Sequence, residues 1–253
     1  MIKYDRLKNR FRKMLVILWI SLLFNTLFLL AGHLLIVRKG GYKYLYRIIL
    51  ARGVSENNFH PYYLHKKSQF EVLPKSDSAI VFLGDSLTDE GEWGELFSNP
   101  NMKNRGISAD TTDLVLNRLD VIVESQPKQI FLMIGINDLM NAGRNVEETL
   151  SEYKNILIEL QQKTPKTQVF VQSILPVNNN ISRYWQDNNI VMELNLKLRE
   201  LAQEFSYYYI DVFPYLLDSQ NQLSSDYTSD GLHLNGKGYL MWKQAIEQYN
   251  SLK

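Results

Sequence analysis

From Met14 to Val37 the chain is a nearly unbroken apolar run of 24 residues. Its polar members are Ser21, Asn25, Thr26 and His33, and none is a fixed charge. As a helix rising about 1.5 Å per residue the run extends roughly 36 Å, enough to cross a bilayer core of about 30 Å. A secretory signal has a shorter apolar region, about 7–15 residues, and ends at a small-residue cleavage site. No such site is visible here, and a buried core helix is rarely apolar on all faces. The pattern predicts a basic segment over 1–13, a membrane-spanning helix over 14–37 and a juxtamembrane linker over 38–75. Within that linker, Tyr42–Leu50 mixes aromatic and basic residues. Such a mixture suits either a membrane interface or a short joining helix.

From residue 76 to the end the pattern becomes regular and predicts one domain. Ala79–Leu83 is a short continuous apolar run ending at Gly84, as a buried parallel strand reads. Gln129–Ile134 ends likewise at Gly135, Gln168–Leu175 at Pro176, and Tyr208–Val212 is a further run. A weaker strand is predicted at Met102–Arg105. Helical spacing fills the gaps, over Thr111–Val123, Val146–Gln162, Asn188–Phe205 and Gly236–Tyr249. Strand and helix alternate throughout, which implies a parallel sheet with helices on both faces, an α/β fold.

Composition removes several function classes. Hydrophobic residues are 45% and charged residues 22%, as in a globular chain, and the net charge is +1. No global field favours nucleic acid. There are no cysteines, hence no disulfide, thiolate nucleophile or Cys-based zinc site. Six cations crowd the residues before Met14 and five are spread over Arg38–Arg52. This bias predicts a cytoplasmic N-terminus and an extracellular body.

Ligands of such sheets bind at the carboxyl ends of the strands, and the chemically capable residues collect there. Ser86 follows the first strand in Gly84-Asp85-Ser86-Leu87-Thr88. Gly106 ends the weaker strand in Asn104-Arg105-Gly106-Ile107, and Asn137 follows the next in Gly135-Ile136-Asn137-Asp138. Asp230-Gly231-Leu232-His233 precedes the last helix. Singly each has a plain structural explanation: a serine at a strand-to-helix turn is usually a helix cap. Together they form a reaction set. A serine hydroxyl needs a neighbouring base, the base needs a carboxylate to orient it, and a tetrahedral oxyanion needs donors. His233 is the only histidine of the strand-helix body and is the base. Asp230 orients it. The Ser86 and Gly106 backbone N–H groups and the Asn137 amide are the expected oxyanion donors.

The blocks GDSLT, NRGI, GIND and DGLH resemble the four signature blocks of the GDSL, or SGNH, hydrolase family. The stretch Gly91–Arg118 is similar to members of the platelet-activating-factor acetylhydrolase-like and sialate O-acetylesterase-like kinds. The resemblance covers about residues 62–249. It implies a flavodoxin-like three-layer α/β/α fold of about five parallel strands, and acyl-ester hydrolysis without metal or cofactor.

Smaller assignments complete the reading. Asp85 is expected to support the nucleophile turn and Asp138 to cap or orient the Asn137 loop. Trp93 is a candidate for lining the substrate pocket, with the core as its alternative. Arg183, Tyr184 and Trp185 are candidates for substrate contact or members of a plain surface loop. The expected substrate is a short-chain or acetyl ester of a glycan or lipid. A lysophospholipase or thioesterase, or an O-acyltransferase using the same residues, is the alternative, and a non-catalytic binding module is disfavoured by the intact set.

Overall fold

The computed structural model describes residues 2–38, 59–181 and 184–248. The chain divides into two units, Met1–Phe59 and His60–Lys253. The first contains helix α1 (Ile2–Arg38), within which Arg12–Leu34 is long and apolar enough to cross a membrane. Large apolar side chains such as Trp19, Phe24, Phe28 and Leu29 stand exposed along it. Length and composition of this kind are shared by membrane spans and signal sequences. The Tyr42–Leu50 segment lies outside the described residues.

The second unit is built on five parallel strands: β1 (Ile80–Gly84), β2 (Met102–Gly106), β3 (Gln129–Met133), β4 (Gln168–Gln172) and β5 (Tyr208–Ile210). Their order is β2-β1-β3-β4-β5. β1 and β3 are buried along their whole length, which is why they read as continuous apolar runs. Phe82, Phe131, Phe170 and Tyr208 occupy matching register positions on four neighbouring strands. Their rings stack in a row at centroid separations of 5.0, 4.5 and 4.9 Å. The third residue of each of β1, β3 and β4 thus forms one continuous aromatic row in the core, extended by Tyr208 at the start of β5.

Helices flank the sheet. α3 (Ser86–Asp89) and α4 (Trp93–Leu96) follow β1 and pack on β2. α5 (Thr112–Asn117) and α6 (Leu119–Val123) lead to β3, and α7 (Ile136–Met140) follows it. α8 (Val146–Lys163) packs between α5 and α9 (Asn188–Glu204). A 3₁₀ turn over Phe213–Leu216 and α10 (Gly236–Glu247) close the chain. α8 begins with a complete capping box, Asn145 with Glu148, as its sequence suits. The chain passes outward from β1 to edge strand β2 and then returns to β3 on the other side of β1. This reversal leaves a crevice at the carboxyl ends of β1 and β3, where such sheets bind ligands.

Within the segment 38–75 expected as linker, α2 (Pro61–Val72) falls in the second unit. It buries Tyr63 and Phe70, and Tyr63 donates to the Leu114 carbonyl at 3.1 Å. The single helix predicted over Thr111–Val123 is broken at Arg118, whose φ of −114° and ψ of 10° leave the helical region. Arg118 turns inward, 1% exposed, and bonds Asp110 Oδ2 at 2.7 Å and the Gly84 carbonyl at 3.1 Å. A buried guanidinium must be satisfied, and two such partners outweigh one uninterrupted helical turn.

Candidate active site

Ser86 is the first residue of α3, directly beyond β1. The helix is capped by Asp85 rather than by the serine: Asp85 Oδ1 accepts the Leu87 N–H at 3.0 Å. The Ser86 hydroxyl is therefore released from capping duty. As the first helical residue, its own N–H has no intrahelical acceptor. Asp85 is fully enclosed, and burial pushes its carboxyl up to about 8 against the opposing Leu87 hydrogen bond. It supports the turn from beneath, as expected for a structural partner.

His233 Nε2 lies 3.0 Å from Ser86 Oγ, and His233 Nδ1 lies 2.7 Å from Asp230 Oδ2. The other carboxylate oxygen of Asp230 accepts the backbone N–H groups of Leu232 and His233 at 2.9 and 2.8 Å. One side chain thus fixes both the imidazole and the loop carrying it. The loop needs a left-handed residue at its turn, supplied by Gly231 with φ 88°. Partial burial would raise the Asp230 carboxyl, but the bonds from His233 and Leu232 outweigh it and hold it below its ordinary value. An ionised, fully bonded carboxylate behind Nδ1 leaves Nε2 as the acceptor facing the serine. The Tyr184 ring meets the imidazole edge-on, with centroids 5.7 Å apart.

The donor side differs from expectation at one position. Asn137, in α7, is buried and donates from Nδ2 to the Asp110 carbonyl at 2.9 Å, while its Oδ1 accepts from Asn141 at 2.7 Å. Those bonds fix the amide orientation and leave one Nδ2 hydrogen. The Gly106 N–H, by contrast, is already donated to Asn104 Oδ1 at 2.8 Å. What Gly106 provides is space: a Cβ there would stand 2.2 Å from the Asp89 nitrogen. Glycine is needed so that β2 can approach the backbone of α3. The nearby main-chain N–H without an acceptor among the described residues belongs to Ala109, a non-glycine at φ 68°. It adjoins Asp110, the residue that holds Asn137.

Buried charges frame this side. Asp110 pairs with Arg118, both 1% exposed. Burial pushes the Asp110 carboxyl up, and the Arg118 guanidinium pulls it part of the way back. Asp138 accepts from Thr112 N and Oγ1 at 3.0 and 2.6 Å and pairs with Arg144. Its carboxyl is raised, burial outweighing those partners. It therefore ties the Asn137 helix to the start of α5, close to the orienting duty expected of it. Asp89, at the end of α3, is held by Lys66 at 2.7 Å and Tyr62 at 2.6 Å, both from α2. Burial would raise the Asp89 carboxyl, but those bonds and Ser108 keep it low.

The remaining candidates separate. Trp93 is 1% exposed and belongs to the core: it stacks on Phe82 at 4.0 Å, meets Trp242 edge-on, and donates Nε1 to the Thr88 carbonyl at 2.9 Å. Enclosed in this way, it presents no surface to a substrate. Trp185 is 70% exposed and lines a groove of about 530 Å³ together with Leu139, Arg144, Val146 and Ile190. Leu139 lies two residues beyond Asn137, and Trp185 follows Tyr184. Arg183 lies outside the described residues. No group of three or more potential metal ligands occurs among the described residues.

Residues 82–241 match the GDSL-like lipase/acylhydrolase family. The alpha1 subunit of platelet-activating factor acetylhydrolase IB from Bos taurus is 30% identical over 166 residues, covering 63% of this chain and 69% of that one. An N-acylneuraminate cytidylyltransferase from Escherichia coli O18:K1:H7 is 27% identical over 196 residues; the match covers 76% of this chain but only 44% of that protein. Among solved structures, a candidate platelet activating factor from Streptococcus pneumonia is 28% identical with a TM-score of 0.70, covering 81% of this chain and 99% of that one. A GDSL-like lipase from Bacteroides thetaiotaomicron is 21% identical with a TM-score of 0.63, covering 74% and 95%, and shares the fold.

Proposed function

The chain belongs to the GDSL-like lipase/acylhydrolase family and is a serine ester hydrolase, and within that family we propose a membrane-anchored esterase whose nucleophile is Ser86 and whose base is His233. The observation that carries this reading is the continuous run Asp230 Oδ2, His233 Nδ1, His233 Nε2, Ser86 Oγ, with contacts of 2.7 and 3.0 Å. In the proposed reaction Ser86 Oγ attacks the ester carbonyl while His233 Nε2 takes its proton. Asp230 stabilises the imidazolium that results. The oxyanion receives the Ser86 N–H and the free Asn137 Nδ2 hydrogen, and the Ala109 N–H replaces the expected Gly106 as main-chain donor. The imidazolium returns its proton to the departing alcohol. Water, deprotonated by Nε2, then releases the acyl group from Ser86.

The likeness to platelet-activating factor acetylhydrolase subunits supports an acetyl or other short acyl group. A glycan or lipid ester remains the substrate class proposed. The exposed apolar helix Arg12–Leu34 supports a retained anchor, and the cations crowded before it support an extracellular body. An ester panel including O-acetylated sugars and lysolipids, run on wild type and Ser86→Ala, tests the reading. Turnover of short-chain esters by wild type and none above background by the variant is the expected result. Near-normal turnover by Ser86→Ala would overturn the assignment. Acyl transfer to an added sugar, detected by mass spectrometry, would favour the acyltransferase alternative.

A further inference from the structure

Glu90 follows α3, and its N–H caps that helix by donating to the Ser86 carbonyl at 3.0 Å. Its half-exposed carboxylate lies 4.0 Å from His233 Nε2, the nitrogen that faces Ser86 Oγ. The other carboxylates around the serine are each accounted for. Asp89 is neutralised by Lys66. Asp230 sits behind the ring at Nδ1. Asp85 is buried beneath the turn, where its Oδ1 accepts the Leu87 N–H. Among the described residues no lysine or arginine pairs with Glu90. One uncompensated negative charge therefore stands at the edge of the imidazole where the departing alcohol must collect its proton.

We propose that Glu90 is a charge filter on the alcohol portion of the substrate: esters of neutral or cationic alcohols are accepted, and esters carrying an anion close to the scissile oxygen are disfavoured. This rests on the reading of Ser86 and His233 given above. Any alcohol protonated by Nε2 comes well within a Debye length of Glu90, about 8 Å at physiological ionic strength. Because Glu90 is half exposed, solvent screens it, and an interaction of the size measured for exposed ion pairs corresponds to about a two- to fivefold effect on rate. Glu90→Gln removes the charge and preserves shape, and the backbone cap does not depend on the side chain.

The test uses three phenyl acetates bearing a meta carboxylate, methyl ester or trimethylammonium group. Values of kcat/KM are measured for wild type, Glu90→Gln and Glu90→Lys at low salt. Intrinsic reactivity cancels when the carboxylate-to-methyl-ester ratio is compared between enzymes. The expected result is a rise of about two- to fivefold in that ratio for Glu90→Gln, with a fall in the trimethylammonium ratio. Glu90→Lys moves both ratios further, and near-molar salt removes the differences. Ratios identical in all three enzymes at low salt would overturn the filter. Ser86→Ala run on the same esters separates the two failures: an inactive Ser86→Ala with flat ratios removes only the filter, whereas an active one removes the assignment of the site itself.

Discussion

The two halves of the site are held by different physics. On the nucleophile side, Ser86 and Asn137 rest on a buried frame: the Arg118–Asp110 pair, the Asp138–Thr112–Arg144 cluster, and a backbone approach at Gly106 that excludes a Cβ. On the base side, His233 rides on a short loop whose orientation is set by one carboxylate, Asp230, and one turn glycine, Gly231. The His233 side chain is 22% exposed and that of Asp230 39%. The difference teaches where stability and activity are coupled. Disturbing the frame removes buried partners and should damage both. Disturbing the loop removes chemistry and leaves the core untouched.

The largest expected effect is on the base side. His233→Ala should lower kcat roughly 10⁴- to 10⁶-fold, the range for loss of a triad member that acts with its partners as a unit. Its thermal midpoint should stay within a few degrees of wild type, since no core contact is lost. A comparable loss of stability would show that the loop is part of the frame after all.

Arg118→Ala attacks the frame. Removing one partner of a buried ion pair leaves the buried Asp110 carboxyl without its counter-charge and hydrogen-bond donor, at a cost of about 3–5 kcal/mol. Urea denaturation should report that loss, and activity should fall with it because Asp110 holds the Asn137 amide. Full activity with unchanged stability would break the comparison.

Gly106→Ala sharpens the corrected role of Gly106. A Cβ 2.2 Å from the Asp89 nitrogen forces backbone movement, expected to cost about 1–3 kcal/mol as overpacking does. If Gly106 served only as an oxyanion donor, alanine would keep the N–H and leave stability unchanged; an undiminished urea midpoint would favour that view.

The last effect, at Asp85, shows only in the pH dependence of stability. Its folded pKa of about 8 stands above the ordinary carboxyl value near 4. The protonated form is favoured by folding, so its contribution is full below about pH 4 and is lost as pH rises through about 8. Asp85→Asn cannot ionise and should flatten the fall in thermal midpoint between about pH 4 and 8. A profile across that window identical to wild type would place the titration elsewhere.

Much of this was legible in the sequence, for reasons that can be named. β1 and β3 are buried on both faces, so their apolar runs are unbroken. Ser86 and Asn137 lie just beyond β1 and β3, and His233 just before the last helix, as the motif positions imply. What was not legible depends on distant partners. α2 carries little helical signal in the sequence, since only Tyr63 and Phe70 are buried in it and Pro61 and Pro74 bracket it like a linker. Its attachment runs through Tyr62 and Lys66 to Asp89, more than twenty residues along the chain. Arg118 looks like one more polar position of a helix until Asp110 and the Gly84 carbonyl are brought to it. Ala109 gives no signal at all, since alanine does not announce a left-handed backbone. Trp93 sits next to the nucleophile helix in sequence, yet its ring extends the aromatic row that begins at Phe82.

The central claim is that Ser86, activated by His233, is the group that becomes acylated. The most direct test is to treat wild type, Ser86→Ala and His233→Ala with a fluorophosphonate and locate the adduct by peptide mass spectrometry. The account predicts one adduct on Ser86 in wild type, none at this peptide in Ser86→Ala, and labelling of Ser86 slowed by orders of magnitude in His233→Ala. An adduct on another residue with loss of activity, or rapid Ser86 labelling without His233, would contradict it.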